Sequence, residues 1–130
     1  MDRLTEFLFR AQWRKLGQHT SICDDENLKS ALGEFASSLP ASLKGYELQA
    51  WKVTGGLTKV VRTAAYLIPV HIIEGTPKVT NEPNAEDPKA IAEDPKAIEL
   101  VPGSEKFYFI EDEATIMGAL YYILAYPPGS

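Results

Sequence analysis

The sequence EATIMGALYYILAY, at residues 113–126, decides which fold class the chain belongs to. It is apolar on almost every side of a helical projection, with Ile116, Leu120 and Ile123 in its main stripe. Acidic residues precede the stretch, where a helix dipole favours negative charge. Pro127 follows it, as is typical of a helix end. The pattern predicts a C-terminal helix that is central in the core or lies across an oligomer interface.

Two more helices are predicted in the N-terminal part of the chain. The first spans about Arg3–Leu16 and stops at Gly17, because glycine commonly ends helices. Its apolar residues form two stripes on nearly opposite sides, and the second stripe consists of Phe9, Trp13 and Leu16. Since a surface helix needs only one apolar stripe, we expect this helix to be enclosed in the core or to contact a partner.

The second helix is indicated by apolar residues that follow a 3.6-residue period from Leu28 to Leu39. Pro40 ends it, because proline has no backbone N–H with which to continue the hydrogen-bond pattern. The two N-terminal helices are expected to form a hairpin around a shared apolar seam.

Strands are expected in the middle of the chain. Residues 46–54 predict a strand by their alternation and their β-prone side chains, and Gly55-Gly56 is typical of a two-residue hairpin turn. Residues 57–73 are rich in Val, Ile, Thr and Tyr, so a second long strand is predicted. Residues 57–68 also fit a helical stripe, and the choice between strand and helix stays open there.

A polar insertion is predicted at about residues 74–97, which combine four prolines with many charges and few large apolar groups. This composition is typical of a solvated, flexible loop. The insertion contains a tandem repeat, AEDPKAI, at residues 85–91 and again at 92–98, as expected of a duplication where loop length is tolerated. Residues 98–101 and 105–110, with a Pro-Gly turn between them, predict a second hairpin.

Together these elements predict an α+β fold in a single domain spanning residues 1–130. It would consist of two N-terminal helices, an antiparallel sheet of about four strands from two hairpins, and one C-terminal helix. The helices would cover one face of the sheet. A length of 130 residues suits one hydrophobic core.

Composition restricts the class of protein. Cys23 is the single cysteine and cannot form an internal disulfide, which fits a reducing compartment. No stretch approaches the roughly 18 apolar residues of a membrane helix, and no secretory signal is recognisable. We therefore expect a cytoplasmic protein without a membrane partner. The net charge is −5, divided as +2 in residues 1–73 and −7 in residues 74–130, and overall acidity argues against a generic polyanion binder.

No catalytic, metal or cofactor site is predicted, and no small-molecule substrate is evident. Cys23 with His19 and Asp24 or Asp25 is the only cluster that resembles a nucleophile with its base, and helix capping and core packing explain these residues much better. The sequence contains no HExxH, Ca²⁺-loop, Walker A or GxGxxG motif. The sequence thus predicts a protein that is not an enzyme, with an unrecognised enzyme at Cys23 and His19 as the last alternative.

Surfaces remain as functional candidates. The leading hypothesis is a non-catalytic interaction or assembly subunit that acts through protein–protein contacts, including self-association. Its interface candidates are Phe9, Trp13, Leu16, Tyr122 and Tyr126. The alternative is a nucleic-acid-binding small subunit of a larger nucleoprotein complex, which uses a basic helix face and the first hairpin. Its candidates are Arg10, Arg14, Trp51, Lys52, Lys59 and Arg62.

Overall fold

The structure is a computed structural model that describes residues 2–37, 39, 41–61, 64–80, 97–102, 107–111 and 113–127. Within these ranges the chain forms two α-helices, one 3₁₀ turn and seven strands in one antiparallel sheet. The helical elements are α1 (Asp2–Arg10), α2 (Leu28–Ser37) and the 3₁₀ turn (Ala41–Leu43). The strands are β1 (Trp13–Lys15), β2 (Thr20–Cys23), β3 (Glu47–Val61), β4 (Ala65–Thr80), β5 (Ile98–Glu99), β6 (Tyr108–Ile110) and β7 (Glu113–Tyr126).

The predicted C-terminal helix is wrong, because residues 113–126 form the central strand of the sheet. β7 pairs antiparallel with β3 on one side and with β4 on the other along almost its whole length. Leu120 and Tyr122 point into one core, whereas Tyr121 and Ile123 belong to the core on the other face. Because both faces are covered, the strand has no polar–apolar alternation to distinguish it from a buried helix.

The predicted fold class is consequently also wrong, since the described chain is mostly sheet rather than four strands with three helices. The strand order is β1-β2-β3-β7-β4, and β5 and β6 both pair with the outer edge of β4. The second predicted hairpin does not form, because β5 and β6 are each antiparallel to β4 and therefore run in the same direction. Long-range pairing of this kind leaves no local signal in the sequence.

The first helix is shorter than predicted. α1 ends at Arg10, and residues 13–15 form β1, which pairs with β2 in a short hairpin. α1 buries Leu4 and Leu8, while the second apolar stripe of the predicted helix is divided between α1, β1 and the turn after it. The β1–β2 hairpin separates the two helices along the chain, so the predicted helical hairpin is wrong.

The second helix is confirmed at Leu28–Ser37. The Asp25 carboxylate precedes it and accepts hydrogen bonds from the backbone N–H groups of Asn27, at 2.9 Å, and of Gln12, at 3.1 Å. This cap satisfies a backbone donor near the helix start and joins α2 to the segment before β1. Leu32 and Phe35 are buried against the sheet.

The prediction of a hairpin turn at Gly55-Gly56 is wrong, because β3 continues through both glycines to Val61. The strand alternative for residues 57–68 is the better one, since residues 57–61 belong to β3 and β4 begins at Ala65. The predicted insertion is also misplaced at its start, because β4 extends to Thr80. Residues 81–96, with most of the tandem repeat, lie outside the described residues.

Chain connectivity requires the sheet to fold over on itself. β3 ends beside Glu113 of β7, whereas β4 begins next to Ala125, at the opposite end of β7. Only residues 62–64 link the two strands, so Val61 and Ala65 are at most about 15 Å apart. A straight strand of 14 residues would be more than about 40 Å long. β7 and its neighbours must therefore bend strongly.

Glycines with positive φ mark the position of the bend. They are Gly55 and Gly56 in β3, Gly75 in β4 and Gly118 in β7. The register of both neighbours of β7 shifts at this same level of the sheet. Bulges of this type bend a strand, and glycine accepts the backbone angles that they need. We call these four residues the glycine bend.

The bend gives the sheet two faces with separate cores. The inner face packs side chains from both arms of the folded sheet against one another, including Val79 and Ile116 from one arm and Leu67 and Leu124 from the other. α1 and α2 cover part of the outer face. The main outer-face residues beneath the helices are Ala50, Ile68, Val70, Ile123 and Ala125.

Candidate functional site

A row of polar and aromatic side chains crosses the outer face at the border of the area that the helices cover. Tyr121 of β7 pairs with Lys52 of β3 on one side and with His71 of β4 on the other. Ser21 of β2 pairs with Lys52, and Lys15 of β1 pairs with Ser21, so the row continues to the sheet edge. Because directly paired residues point to the same face, these five side chains share one surface.

Two further aromatic side chains pack over this row. The ring centroids of Phe9, from α1, and Trp13, from β1, each lie 5.6 Å from that of Tyr121. The ring of Phe9 also meets the ring of His71 edge-on at 5.0 Å. Such separations are typical of favourable aromatic pairs. We call Phe9, Trp13, Lys52, His71 and Tyr121 the aromatic–basic cluster.

Hydrogen bonding and charge hold the Trp13 ring in place. Its indole Nε1 donates to the carbonyl oxygen of Leu8 at 3.1 Å, which ties β1 to α1. Lys52 Nζ lies 4.9 Å from the centroid of the Trp13 ring, within the range of a cation–π interaction. Burial raises the pKa of the Tyr121 hydroxyl, and a tyrosine hydroxyl is in any case protonated at neutral pH, so it can donate a hydrogen bond there.

The aromatic–basic cluster is open to solvent at Phe9, whose side chain is 54% exposed. Arg10, the next residue of α1, is exposed as well. An apolar ring, an aromatic platform and nearby cations offer a ligand both stacking and charge-assisted hydrogen bonds. The arrangement therefore suits the recognition of a group that combines apolar surface with negative charge.

The predicted interface residues are divided between the surface and the core. Phe9 and Trp13 lie in the aromatic–basic cluster. Leu16 is exposed in the turn after β1, outside the cluster. Tyr122 and Tyr126 are 1% and 8% exposed and belong to the inner-face core, so neither offers a surface to a partner. Their placement follows from the strand geometry of β7, which a helical projection does not represent.

The predicted nucleic-acid-binding residues do not form one surface. Of the six candidates, Lys52 lies in the cluster and Arg10 is exposed close to it in sequence. Trp51 is on the inner face, where its ring stacks on Tyr122 with 6.5 Å between centroids. Two more lie apart from the cluster, because Arg14 alternates with Trp13 and points to the other side of β1, and Lys59 forms a 3.7 Å ion pair with Glu113. Arg62 lies outside the described residues.

Cys23 and His19 are not brought together. Cys23 is buried beneath the helices, and His19 lies in the turn before β2, where its carbonyl oxygen accepts a hydrogen bond from the Thr54 N–H at 2.9 Å. Four residues of extended chain correspond to about 13 Å, well beyond hydrogen-bond reach. Burial raises the pKa of the Cys23 thiol, and the charges of Asp25 and Asp24 add to this, outweighing a hydrogen bond from the Asp25 backbone that lowers it.

This environment predicts an unreactive thiol. In the folded protein at about pH 8, Cys23 should react with a water-soluble aromatic disulfide roughly a hundredfold more slowly than in the urea-unfolded chain. The release of the coloured thiol measures both rates, and the unfolded chain serves as the control. Equal rates in the two states would show an accessible thiolate and would restore Cys23 as a candidate nucleophile.

Tyr121 and His71 are the cluster residues that the sequence did not single out. Tyr121 precedes Tyr122 in a run that is apolar on both sides, so nothing local shows which of the two tyrosines faces solvent. His71 stands in the apolar run Val70-His71-Ile72, where the default expectation is a histidine satisfied within a sheet. Only the register of β3, β7 and β4 places them next to Phe9 and Lys52.

Across the described ranges, no three His, Cys, Asp or Glu side chains are grouped as metal ligands would be. No helix in the described part of the chain has the length and apolarity needed to cross a membrane. No protein-family model, curated protein or solved structure matches the chain.

Proposed function

We propose that the protein is a non-catalytic interaction subunit that binds a partner protein through the aromatic–basic cluster. The observation that supports this most is Phe9, a large apolar side chain that is 54% exposed and packed on Tyr121 and His71. An aromatic residue held rigidly by its neighbours loses little conformational entropy on binding, and such residues supply most of the energy at protein interfaces.

The charges around the cluster favour an acidic segment on the partner. Lys52 and Lys15 belong to the same row of the outer face, and Arg10 follows Phe9 on α1. A partner segment with carboxylates next to an apolar side chain would complement both features. Complementary charge of this kind accelerates association and selects against other partners.

A nucleic acid is the second candidate ligand, because the lysine above the Trp13 ring and the neighbouring Tyr121 ring combine cations with stacking surfaces. The positions of Arg14 and Lys59, which lie apart from the cluster, weaken this alternative, as does the net charge of −5. The two candidates predict different cross-linked products, either a protein or a nucleic acid attached at the cluster, and a cross-linking experiment distinguishes them directly.

Phe9→p-benzoylphenylalanine places a photo-cross-linker at the exposed end of the cluster in cells of the native host. Irradiation is expected to give one major protein adduct, and mass spectrometry should locate the attachment in an acid-rich segment. Adding Lys52→Glu should reduce adduct yield at least about tenfold, because the charge facing the carboxylates is reversed. Gel shift and peptide mapping measure both outcomes.

Two matched controls accompany this test. A cross-linker at Lys29, which is exposed on α2, should not form the same adduct. The substitution Lys44→Glu, which reverses an exposed charge next to the 3₁₀ turn, should leave the yield from the Phe9 position unchanged. Attachment to nucleic acid would establish the second candidate instead. No adduct, or an adduct insensitive to Lys52→Glu, would contradict the proposal.

A further inference from the structure

Lys15, Ser21 and Lys52 form a continuous part of the row on the outer face. Ser21 of β2 pairs directly with Lys15 of β1 on one side and with Lys52 of β3 on the other. The Cβ atoms of directly paired residues lie about 5 Å apart, and their side chains point to the same face. The Ser21 hydroxyl therefore stands between two lysine side chains. We call these three residues the lysine–serine subsite.

The Lys52 side chain leans toward β1. Its Nζ lies 4.9 Å from the centroid of the Trp13 ring, although Trp13 belongs to β1 and β2 lies between β1 and β3. The side chain must therefore extend across β2, past Ser21. Trp13 and Lys15 are next-but-one neighbours on the same face of β1, which separates them by about 7 Å. The ammonium group of Lys52 is thus held close to the side chain of Lys15.

The two lysines of the subsite are not neutralised by a carboxylate within the described part of the chain, where neither forms an ion pair. Asp25 is engaged in the cap of α2. Glu74 is exposed on β4 and pairs with Ala119, so β7 separates it from Lys52. Two ammonium groups held close together repel each other, and an anion between them removes this repulsion. The subsite therefore suits a negatively charged ligand.

We infer that the lysine–serine subsite binds a phosphorylated side chain of the partner protein. The inference rests on the function proposed above, because it identifies the acidic group that is recognised beside the aromatic–basic cluster. A phosphate monoester carries about 1.5 to 2 negative charges at neutral pH and has three acceptor oxygens. The two ammonium groups and the Ser21 hydroxyl supply donors for all of these oxygens. A carboxylate has less charge and fewer oxygens, so it satisfies the subsite only in part.

The distance from the subsite to Phe9 places the apolar residue of the partner segment. The Phe9 ring packs on Tyr121 of β7, and β3 lies between β7 and the β2 strand of Ser21. Two strand intervals correspond to about 10 Å, which an extended segment covers in about three residues. The expected ligand is an extended segment with an apolar side chain about three residues from the phosphorylated one.

A nucleic acid fits the subsite less well than a phosphorylated protein. Each phosphodiester carries a single negative charge, and binding along a strand needs cations spaced along its path. Here two lysines converge on one hydroxyl, whereas Arg14 points to the other side of β1 and Lys59 is paired with Glu113. The arrangement therefore favours one doubly charged group over a chain of singly charged ones.

Peptide binding to the ¹⁵N-labelled full chain tests the subsite by NMR. The probe is the peptide GSGTFGG with its serine phosphorylated, and the reversed sequence GGFTGSG is included because either chain direction supplies the spacing. The indole N–H signal of Trp13 should shift, whereas that of Trp51, on the inner face, should not. The better-binding peptide should bind at least about tenfold more weakly without its phosphate, and at least about threefold more weakly with glutamate in place of phosphoserine.

Protein variants assign the binding to the subsite. Lys15→Gln should weaken binding of the phosphorylated peptide at least about fivefold, and Ser21→Ala at least about twofold, because each removes one donor. Lys15→Arg keeps the charge and should bind within about twofold of the parent protein. Lys44→Gln is the matched control, because Lys44 is exposed next to the 3₁₀ turn, and it should leave binding unchanged.

Several outcomes would overturn the inference. They are an unshifted Trp13 signal with both phosphorylated peptides, equal binding of the phosphorylated and glutamate peptides, and equal effects of Lys15→Gln and Lys44→Gln. Tighter binding of single-stranded DNA of matched length would also overturn it, in favour of a nucleic acid. The photo-cross-linking at Phe9 reports on the proposed function separately, so a protein adduct that forms while the phosphorylated peptides fail contradicts only the phosphate assignment.

Discussion

Gly118→Ala is expected to lower the free energy of unfolding by about 3 kcal/mol, one of the two largest effects that the structure predicts for a single substitution. Gly118 has a φ of 117°, which side-chain-bearing residues rarely adopt. A Cβ at this position would lie 2.8 Å from the Cα of Pro77, so the neighbouring backbone of β4 would have to move. Strain and steric overlap therefore act together in the middle of the glycine bend.

Urea unfolding followed by circular dichroism measures this loss, and two glycines provide controls. Gly75→Ala tests the backbone angle alone, since φ is 71° and no atom lies within 4 Å of a new Cβ, and it should cost about 1 kcal/mol. Gly33→Ala in α2 has free space and no positive φ, so it should stabilise the protein by about 0.5–1 kcal/mol. A Gly118→Ala protein as stable as the Gly75→Ala protein would contradict the close approach of β7 and β4.

Tyr122→Ala is expected to lower the free energy of unfolding by about 4 kcal/mol, because Tyr122 is 1% exposed and its truncation leaves a cavity in the inner-face core. Its ring also stacks on Trp51 at an angle of 8° between planes, and this contact would be lost. Tyr121→Ala removes the same side chain one position earlier. That side chain lies on the partly exposed outer face, so about 1–2 kcal/mol is expected.

The pair is informative because the two substitutions are chemically identical and adjacent. In a strand, neighbouring side chains point to opposite faces, and a large difference between the two losses follows. Equilibrium unfolding in urea, with equal m-values for both variants, provides the comparison. Losses that agree within about 0.5 kcal/mol would contradict the strand assignment of residues 113–126.

How far the sequence predicts this fold depends on whether the information is local. α2 was predictable, because its apolar period and the Pro40 after it lie within a few residues. β7 was not, because a strand buried on both faces and a buried helix are equally apolar. The hairpin turn predicted at Gly55-Gly56 was wrong for a related reason. Paired glycines suit a hairpin turn as well as a bulge within a continuous strand.

The residues of the candidate site also divide into those that local sequence indicates and those that only strand pairing brings together. Phe9 and Trp13 could be selected from the sequence. The first predicted helix already has one apolar stripe to bury in the core, and these two residues belong to a second stripe. Tyr121 and His71 could not, because they join the site only through pairing between strands that are about 50 residues apart along the chain. The inner-face location of Trp51 and Tyr122 likewise depends on register, which a one-residue shift would reverse.

The central position of β7 has a consequence for biosynthesis. β3 and β4 do not pair with each other, because β7 stands between them and is the last strand of the described chain. While the ribosome is still making the segment before residue 113, both long strands expose their edges and neither core can close. The pairs β1–β2–β3 and β4–β5–β6 can form earlier, but the molecule completes its sheet only when Tyr126 has left the exit tunnel. Until then, the unpaired edges of β3 and β4 expose the nascent chain to aggregation.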